Sequence, residues 1–119
     1  MLPRDARIQK SRDFRAIYQT RRAFPGRLLV LHLRKLTECE RTVPVRFGFV
    51  ISKKASRKSH DRNRLKRRLR EICRTLIIPA INQGKFADVL LVARNDAAEA
   101  DFKTLLDEVN QLCRKAGLL

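Results

Sequence analysis

The apolar positions of this chain change period several times, and each change marks an element. Phe14, Ile17 and Tyr18 fall at i, i+3 and i+4, the spacing of one helix face, with Ser11 placed to cap the helix. Pro25-Gly26 separates it from Leu28-Leu29-Val30-Leu31-His32-Leu33, a strand-like run whose buried face is left open. Leu29, Leu31 and Leu33 read as core, but Leu28, Val30 and His32 are hardly polar. Residues 35–42 are polar and are expected to form a hairpin loop. Val45, Phe47, Phe49 and Ile51 then alternate with Arg46, Gly48, Val50 and Ser52, the period of a strand with one buried face. A basic loop from Lys53 to Ser59 leads into a long helix, from about Asp61 to Ile77, stopped before Pro79. After a loop at Asn82-Gln83-Gly84, Val89-Leu90-Leu91-Val92 is apolar on both faces, as a central strand is. The last helix carries Phe102, Leu105, Leu106, Val109, Leu112, Cys113 and Ala116 at helical spacing. Asp101 is its expected cap, and Gly117 its stop. One domain spanning residues 1–119, mixing helices and strands without repeat or linker, is expected.

The long helix has two unlike sides. At about 100° per residue, Leu65, Leu69, Ile72 and Leu76 lie within about 40° of one line, a stripe expected to be buried. Asn63, Arg67, Arg70 and Arg74 lie opposite, by the same geometry, with Arg62, Arg64, Lys66 and Arg68 between. From Lys53 to Arg74 the chain has eleven Lys or Arg against two acids, Asp61 and Glu71.

That count changes the picture because it concentrates a larger imbalance. The chain has 28 Lys and Arg against 12 Asp and Glu, a net charge of +16, while 44% of its residues are hydrophobic, enough for a core. Such an excess on a small domain makes a polyanion the expected partner, nucleic acid first. A charge run is ordinarily a solvated helix face, but that reading calls for acids at i±4 to relieve the repulsion, and here only Glu71 does so in part. Phosphates are the expected source of the missing anions. Arg predominates over Lys in the helix, and its planar fork suits phosphate and base edges. A membrane partner is disfavoured: no apolar run approaches the ~18 residues of a membrane span. The start, Met1-Leu2-Pro3-Arg4-Asp5, lacks a signal-peptide pattern, and Asp5 and Asp13 argue against a transit peptide, so a cytoplasmic location is expected.

Residues that carry chemistry elsewhere are sparse here. Cys39, Cys73 and Cys113 are far apart, and His32 and His60 stand alone, so no zinc spacing exists and the thiols are expected to be small hydrophobes. A two-metal nuclease needs converging carboxylates. The candidates are Asp88, Asp96, Glu99 and Asp101, of which the last two are explained as helix-start acids. No protein catalytic residue is expected. A DNA-binding helix-turn-helix is disfavoured by the strands and by the lack of a leading partner helix. A ribosomal or other structural RNA-binding protein shares the charge and size.

Phe47-Gly48-Phe49-Val50-Ile51-Ser52-Lys53-Lys54 followed by Arg62-Asn63-Arg64-Leu65-Lys66-Arg67-Arg68-Leu69-Arg70-Glu71 resembles the protein subunit of bacterial-type ribonuclease P, and the likeness runs nearly the full chain. Where many members have small apolar residues before the Arg-Asn-Arg block, this chain has Ser59, His60 and Asp61; Ser59 or Asp61 is the expected N-cap. The resemblance implies an α+β fold, α-β-β-β-α-β-α, with a helix-backed four-stranded sheet, a left-handed βαβ crossover and kinship to a ribosomal protein domain. A fourth short strand is then expected near Arg22–Phe24. The resemblance also implies a ribonucleoprotein that cleaves precursor tRNA to free the mature 5′ end. Its RNA subunit uses the catalytic Mg²⁺, and the protein binds no cofactor tightly. Carried over, Arg62, Asn63, Arg64, Lys66 and Arg67 face the RNA subunit, supported by Lys53 and Lys54. The loop residue Arg57 and the helix residues Arg70 and Arg74 join them on position and charge. Phe14 and Tyr18 line the cleft for the single-stranded 5′ leader.

Overall fold

A computed structural model describes residues 6–8, 10–36, 45–51, 56, 58–81, 86–94 and 97–119. In chain order they form α1 (Ser11–Gln19), β1 (Ala23–Pro25), β2 (Leu29–Leu36), β3 (Val45–Val50), α2 (Ser59–Ile72), β4 (Phe86–Ala93) and α3 (Phe102–Lys115). This is the expected α+β order. The short first strand lies one residue from its expected place. Its Pro25 is tolerated because β1 is an edge strand.

The sheet order is β1-β2-β4-β3. β4 pairs antiparallel with β2, Leu31 opposite Leu91, and parallel with β3, Phe49 opposite Leu91. The expected hairpin after β2 is therefore corrected. β2 runs on to Leu36, and its sequence neighbour β3 lies beyond β4, so that connection spans two strand spacings, about 10 Å. Residues 37–42 of the expected loop lie outside the described residues. β3 and β4 are joined through α2, which makes the parallel βαβ unit.

Strand register answers which face is core. Leu29, Leu31 and Leu33 are completely buried, with Phe47, Val89 and Leu91, against α2 and α3. The opposite face carries three rows read across β2, β4 and β3: Val30–Val92–Val50, His32–Leu90–Gly48 and Arg34–Asp88–Arg46. α1 covers this second face through a smaller cluster of Ile8, Ile17 and Leu90, flanked by Phe14, Val50 and Val92. The domain is thus three layers, α1, sheet, and α2 with α3.

The helix ends follow local chemistry, with two corrections. Lys10 and Lys58 are the N-caps of α1 and α2, so Ser11 and Ser59 are first helical residues and no side chain caps either helix. Asp61, the other candidate, sits in the first turn of α2, where a carboxylate suits the helix dipole and lies 3.6 Å from Arg64. α3 does use its expected cap: Asp101 accepts from the Thr104 N–H at 2.8 Å, which holds its carboxyl below the usual range. At the other end Gly117 takes φ +83°, and the Leu118 and Gly117 N–H groups donate to the Cys113 and Arg114 carbonyls, closing the helix with paired bonds.

The apolar stripe of α2 ends earlier than the period predicts. Leu65, Leu69 and Ile72 are buried as expected, but Leu76 is 45% exposed. Cys73–Ile77 winds as a π-helix, in which each hydrogen bond spans five residues, so each residue turns through a smaller angle. The buried positions after Ile72 become Cys73 and Ile77, one step out of the α-helical phase.

Leu69→Ala is expected to cost about 2–5 kcal/mol of unfolding free energy, and Leu76→Ala less than about 0.5 kcal/mol. Urea unfolding of both variants checks this, and equal costs would put Leu76 back in the core. Asp101→Ala should lower the melting temperature at neutral pH. Because the folded carboxyl titrates below its ordinary value, that difference should shrink as the pH falls through the carboxylate range.

Candidate nucleic-acid interface

α1 is held over the sheet at both ends. At its start the Ile8 N–H donates to the Phe47 carbonyl at 2.8 Å, laying the preceding segment along the β3 edge. At its end Thr20 Oγ1 lies 2.8 Å from both the Ile17 and Leu33 carbonyls, and its single proton serves either. Ile17 fills the space between. Phe14 and Tyr18, on the flanks of Ile17, take different places. The Phe14 ring lies on Gly48, where an added Cβ would stand 3.0 Å from its Cε1; the strand needs glycine there for the ring to come this close. Tyr18 meets His32 edge to face, ring centres 4.8 Å apart, and is 42% exposed. Partial burial raises the Tyr18 pKa and lowers that of His32, because both rings lose water that would stabilise the charged form.

His32 is the site residue that sequence reasoning misses. The sequence offers it no carboxylate or nucleophile partner, but a neutral ring beside a tyrosine presents a flat polar face rather than an acid or base. Its position two residues from both Val30 and Arg34 on a strand is the available signal, since all three face the same side.

Phe14 also borders a cavity of about 290 Å³ with Arg7, Gly48, Phe49, Lys66 and Arg70. Lys66 and Arg70 are one helical turn apart on α2, and like charges at that spacing repel. The helical period expects Arg70 on the far side of α2 with Arg67 and Arg74. Instead it is half-buried at this cavity, and among the described residues its Nε has no hydrogen-bond partner; the same holds for Arg7 Nε, also at the cavity, and for Arg64 Nε away from it. A buried donor left unpaired costs about 1–3 kcal/mol. An aromatic wall with two shielded guanidinium donors and an ammonium is chemistry for an anion attached to a flat apolar body, as a nucleotide is.

The other basic residues divide. Arg62 reaches back to the Ser56 carbonyl at 2.9 Å, Arg68 to the Ala100 carbonyl at 3.2 Å, and Arg74 pairs with Glu71, which holds that carboxyl below its usual range. Asn63 and Arg67 are exposed, and Arg64 is half-buried. Lys53, Lys54 and Arg57 lie outside the described residues, as do Cys39 and Asp96. Cys73 and Cys113 are buried in the main core, which pushes the Cys113 thiol up to about 12 and that of Cys73 well above its ordinary value, so neither is a nucleophile. Asp88 is fully buried and committed to Arg46, and among the described residues no three His, Cys, Asp or Glu gather to hold a metal. No helix among them is long and apolar enough to cross a membrane.

Comparison with known proteins gives one consistent answer. A family model described as ribonuclease P matches residues 2–117. The ribonuclease P protein component of Microcystis aeruginosa is 36% identical over 118 residues, covering 99% of this chain and 96% of that protein. That of Clostridium botulinum strain Loch Maree is 33% identical over 115 residues, covering 97% of each. Among solved structures, the RNase P protein from Thermotoga maritima matches with a TM-score of 0.74 at 29% identity, over 91% of this chain and 96% of that one. The one from Staphylococcus aureus matches with a TM-score of 0.77 at 25% identity, over 100% and 96%.

Burial keeps the His32 ring neutral, so whatever stability this gives is present above its ordinary pKa of 6.5 and falls away as the pH drops below it. Following the imidazole by NMR should give a midpoint below 6.5, and Tyr18→Ala, which uncovers the ring, should move it back upward. An unmoved midpoint would mean that Tyr18 contributes nothing to that burial.

Proposed function

This chain belongs to the ribonuclease P protein family, and from that membership we propose that it serves the holoenzyme as an RNA-binding wedge with two connected surfaces. It is the protein component of an endoribonuclease that matures tRNA; the RNA subunit carries the chemistry and its Mg²⁺. On this reading α2 offers Arg62, Asn63, Arg64, Lys66, Arg67, Arg70 and Arg74 to the RNA subunit, with Lys53, Lys54 and Arg57 before it. The sheet face along the flanks of α1 takes the 5′ leader of precursor tRNA, with Phe14 and Tyr18 as stacking platforms and His32 beside Tyr18.

The observation that carries the reading is the cavity at the β3 edge, where Phe14 from α1 meets Lys66 and Arg70 from α2. A leader leaving the α1 face at this edge passes directly onto cations of the helix that meets the RNA subunit. Stacking tolerates any base and contributes about 1–3 kcal/mol per base, so it suits a single strand of varying sequence. The cations add a phosphate contribution that weakens with salt.

Reconstitution with a ribonuclease P RNA tests both surfaces. Phe14→Ala should weaken binding of precursor tRNA with a leader of several nucleotides, roughly five- to hundredfold by the worth of one stacked base, and leave mature tRNA nearly unchanged. Arg67→Ala with Arg70→Ala should lower the slope of log K against log salt for the RNA subunit by about 0.7–0.9 for each phosphate that is no longer neutralised. Equal losses on precursor and mature tRNA would return Phe14 to the core, and an unchanged salt slope would remove the two arginines from the interface.

A further inference from the structure

Asp88 is completely buried, and a carboxylate taken that far out of water has to be paired where it stands. Arg46 meets it with both prongs of its fork, Nε to Oδ1 at 2.9 Å and Nη2 to Oδ2 at 3.0 Å, while Arg34 Nη2 stands 3.8 Å off. The three form one row across β2, β4 and β3 on the face that α1 covers. Two parallel bonds fix the plane as well as the position of the Arg46 guanidinium. That guanidinium also faces outward: its Nη2 lies 3.7 Å from Asp13 Oδ2 in the first turn of α1. Asp13 immediately precedes Phe14, whose ring rests on Gly48, the next residue after Arg46 on the same face of β3.

We propose that Asp13 is a positioning residue for leader binding. Through Arg46, which Asp88 holds rigid, it sets how far the start of α1 stands off the sheet, and so where the Phe14 ring stands as a wall of the cavity it shares with Lys66 and Arg70. The assignment rests on the leader-cleft reading above. An acid in the first turn of a helix is also favoured by the helix dipole, so the test has to separate that role from positioning.

The sign of the effect does so. In a protein of net charge +16, removing a carboxylate beside an RNA track by itself tightens binding to every RNA. Positioning predicts the reverse for leader-bearing RNA alone. With the reconstituted holoenzyme, Asp13→Asn should weaken binding of precursor tRNA roughly three- to tenfold and leave mature tRNA unchanged or slightly tighter. Asp13→Glu, which keeps the charge within reach of Arg46, should recover part of the loss. Added to Phe14→Ala, Asp13→Asn should bring no further loss, because it acts through that ring. Precursor binding that is unchanged or tighter in Asp13→Asn, losses that add, or equal losses on both RNAs with a lower melting temperature would each overturn the assignment. If Phe14→Ala shows no leader-selective loss, the cleft reading fails and positioning with it. If only Asp13→Asn is silent, the positioning role alone is lost.

Discussion

β4 carries Val89, Leu90, Leu91 and Val92 in succession, so both its faces have to leave the water, and one layer of helices covers only one of them. Burying such side chains contributes about 1.5–3 kcal/mol each, enough to draw α1 onto the face opposite α2 and α3. The rest of the architecture follows. With β4 in the middle, β3 becomes an edge, and α2 and α1 approach that edge from opposite sides of the sheet. The cavity with Phe14 on one wall and Lys66 and Arg70 on another exists because of that meeting. The two RNA surfaces proposed for the protein are neighbours in space although separated by about fifty residues of sequence.

The charged parts of the structure obey the same division. On the fully buried side of the sheet the described residues that pack are apolar, with Cys73 and Cys113 serving as hydrophobes. On the α1 side polarity is admitted: His32 ends the middle row, and beyond it lies the Arg34–Asp88–Arg46 row, whose carboxylate is paired in place. Glu108 does similar work at the far end. From α3 its carboxylate accepts the Arg27 and Leu28 N–H groups at 2.8–3.0 Å, fixing the β1–β2 turn against the last helix. Gly26 stands so close that a Cβ would lie 2.9 Å from the Glu108 carboxyl carbon.

Periodicity makes the helices and β3 legible because each has one apolar face, while β2 and β4 are legible as short apolar runs whose core face the period leaves open. Asp101 and Gly117 are legible because capping depends on a side chain or on backbone freedom at one position. What stays hidden depends on partners far along the chain. Nothing within residues 29–51 reveals that another strand will lie between two that look like a hairpin. The change of winding at Cys73 is invisible to a rule that assumes 3.6 residues per turn, and it carries Leu76 to the surface. Arg70 looks like its neighbours Arg67 and Arg74 because a helical wheel gives direction without saying what stands opposite. His32 is visible as a residue but not as a site, since its meaning comes from Tyr18 on another element.

The central position of β4 also orders events in time. A ribosome delivers the chain from its N-terminus, so β1, β2 and β3 all emerge before the strand that two of them flank. Until residue 93 is free, the strand partners among the described residues are three-residue β1 for β2 and the single bridge from Arg7 for β3. The nascent protein therefore waits with two open strand edges and a strongly basic helix already exposed, and the sheet closes as one late, long-range event.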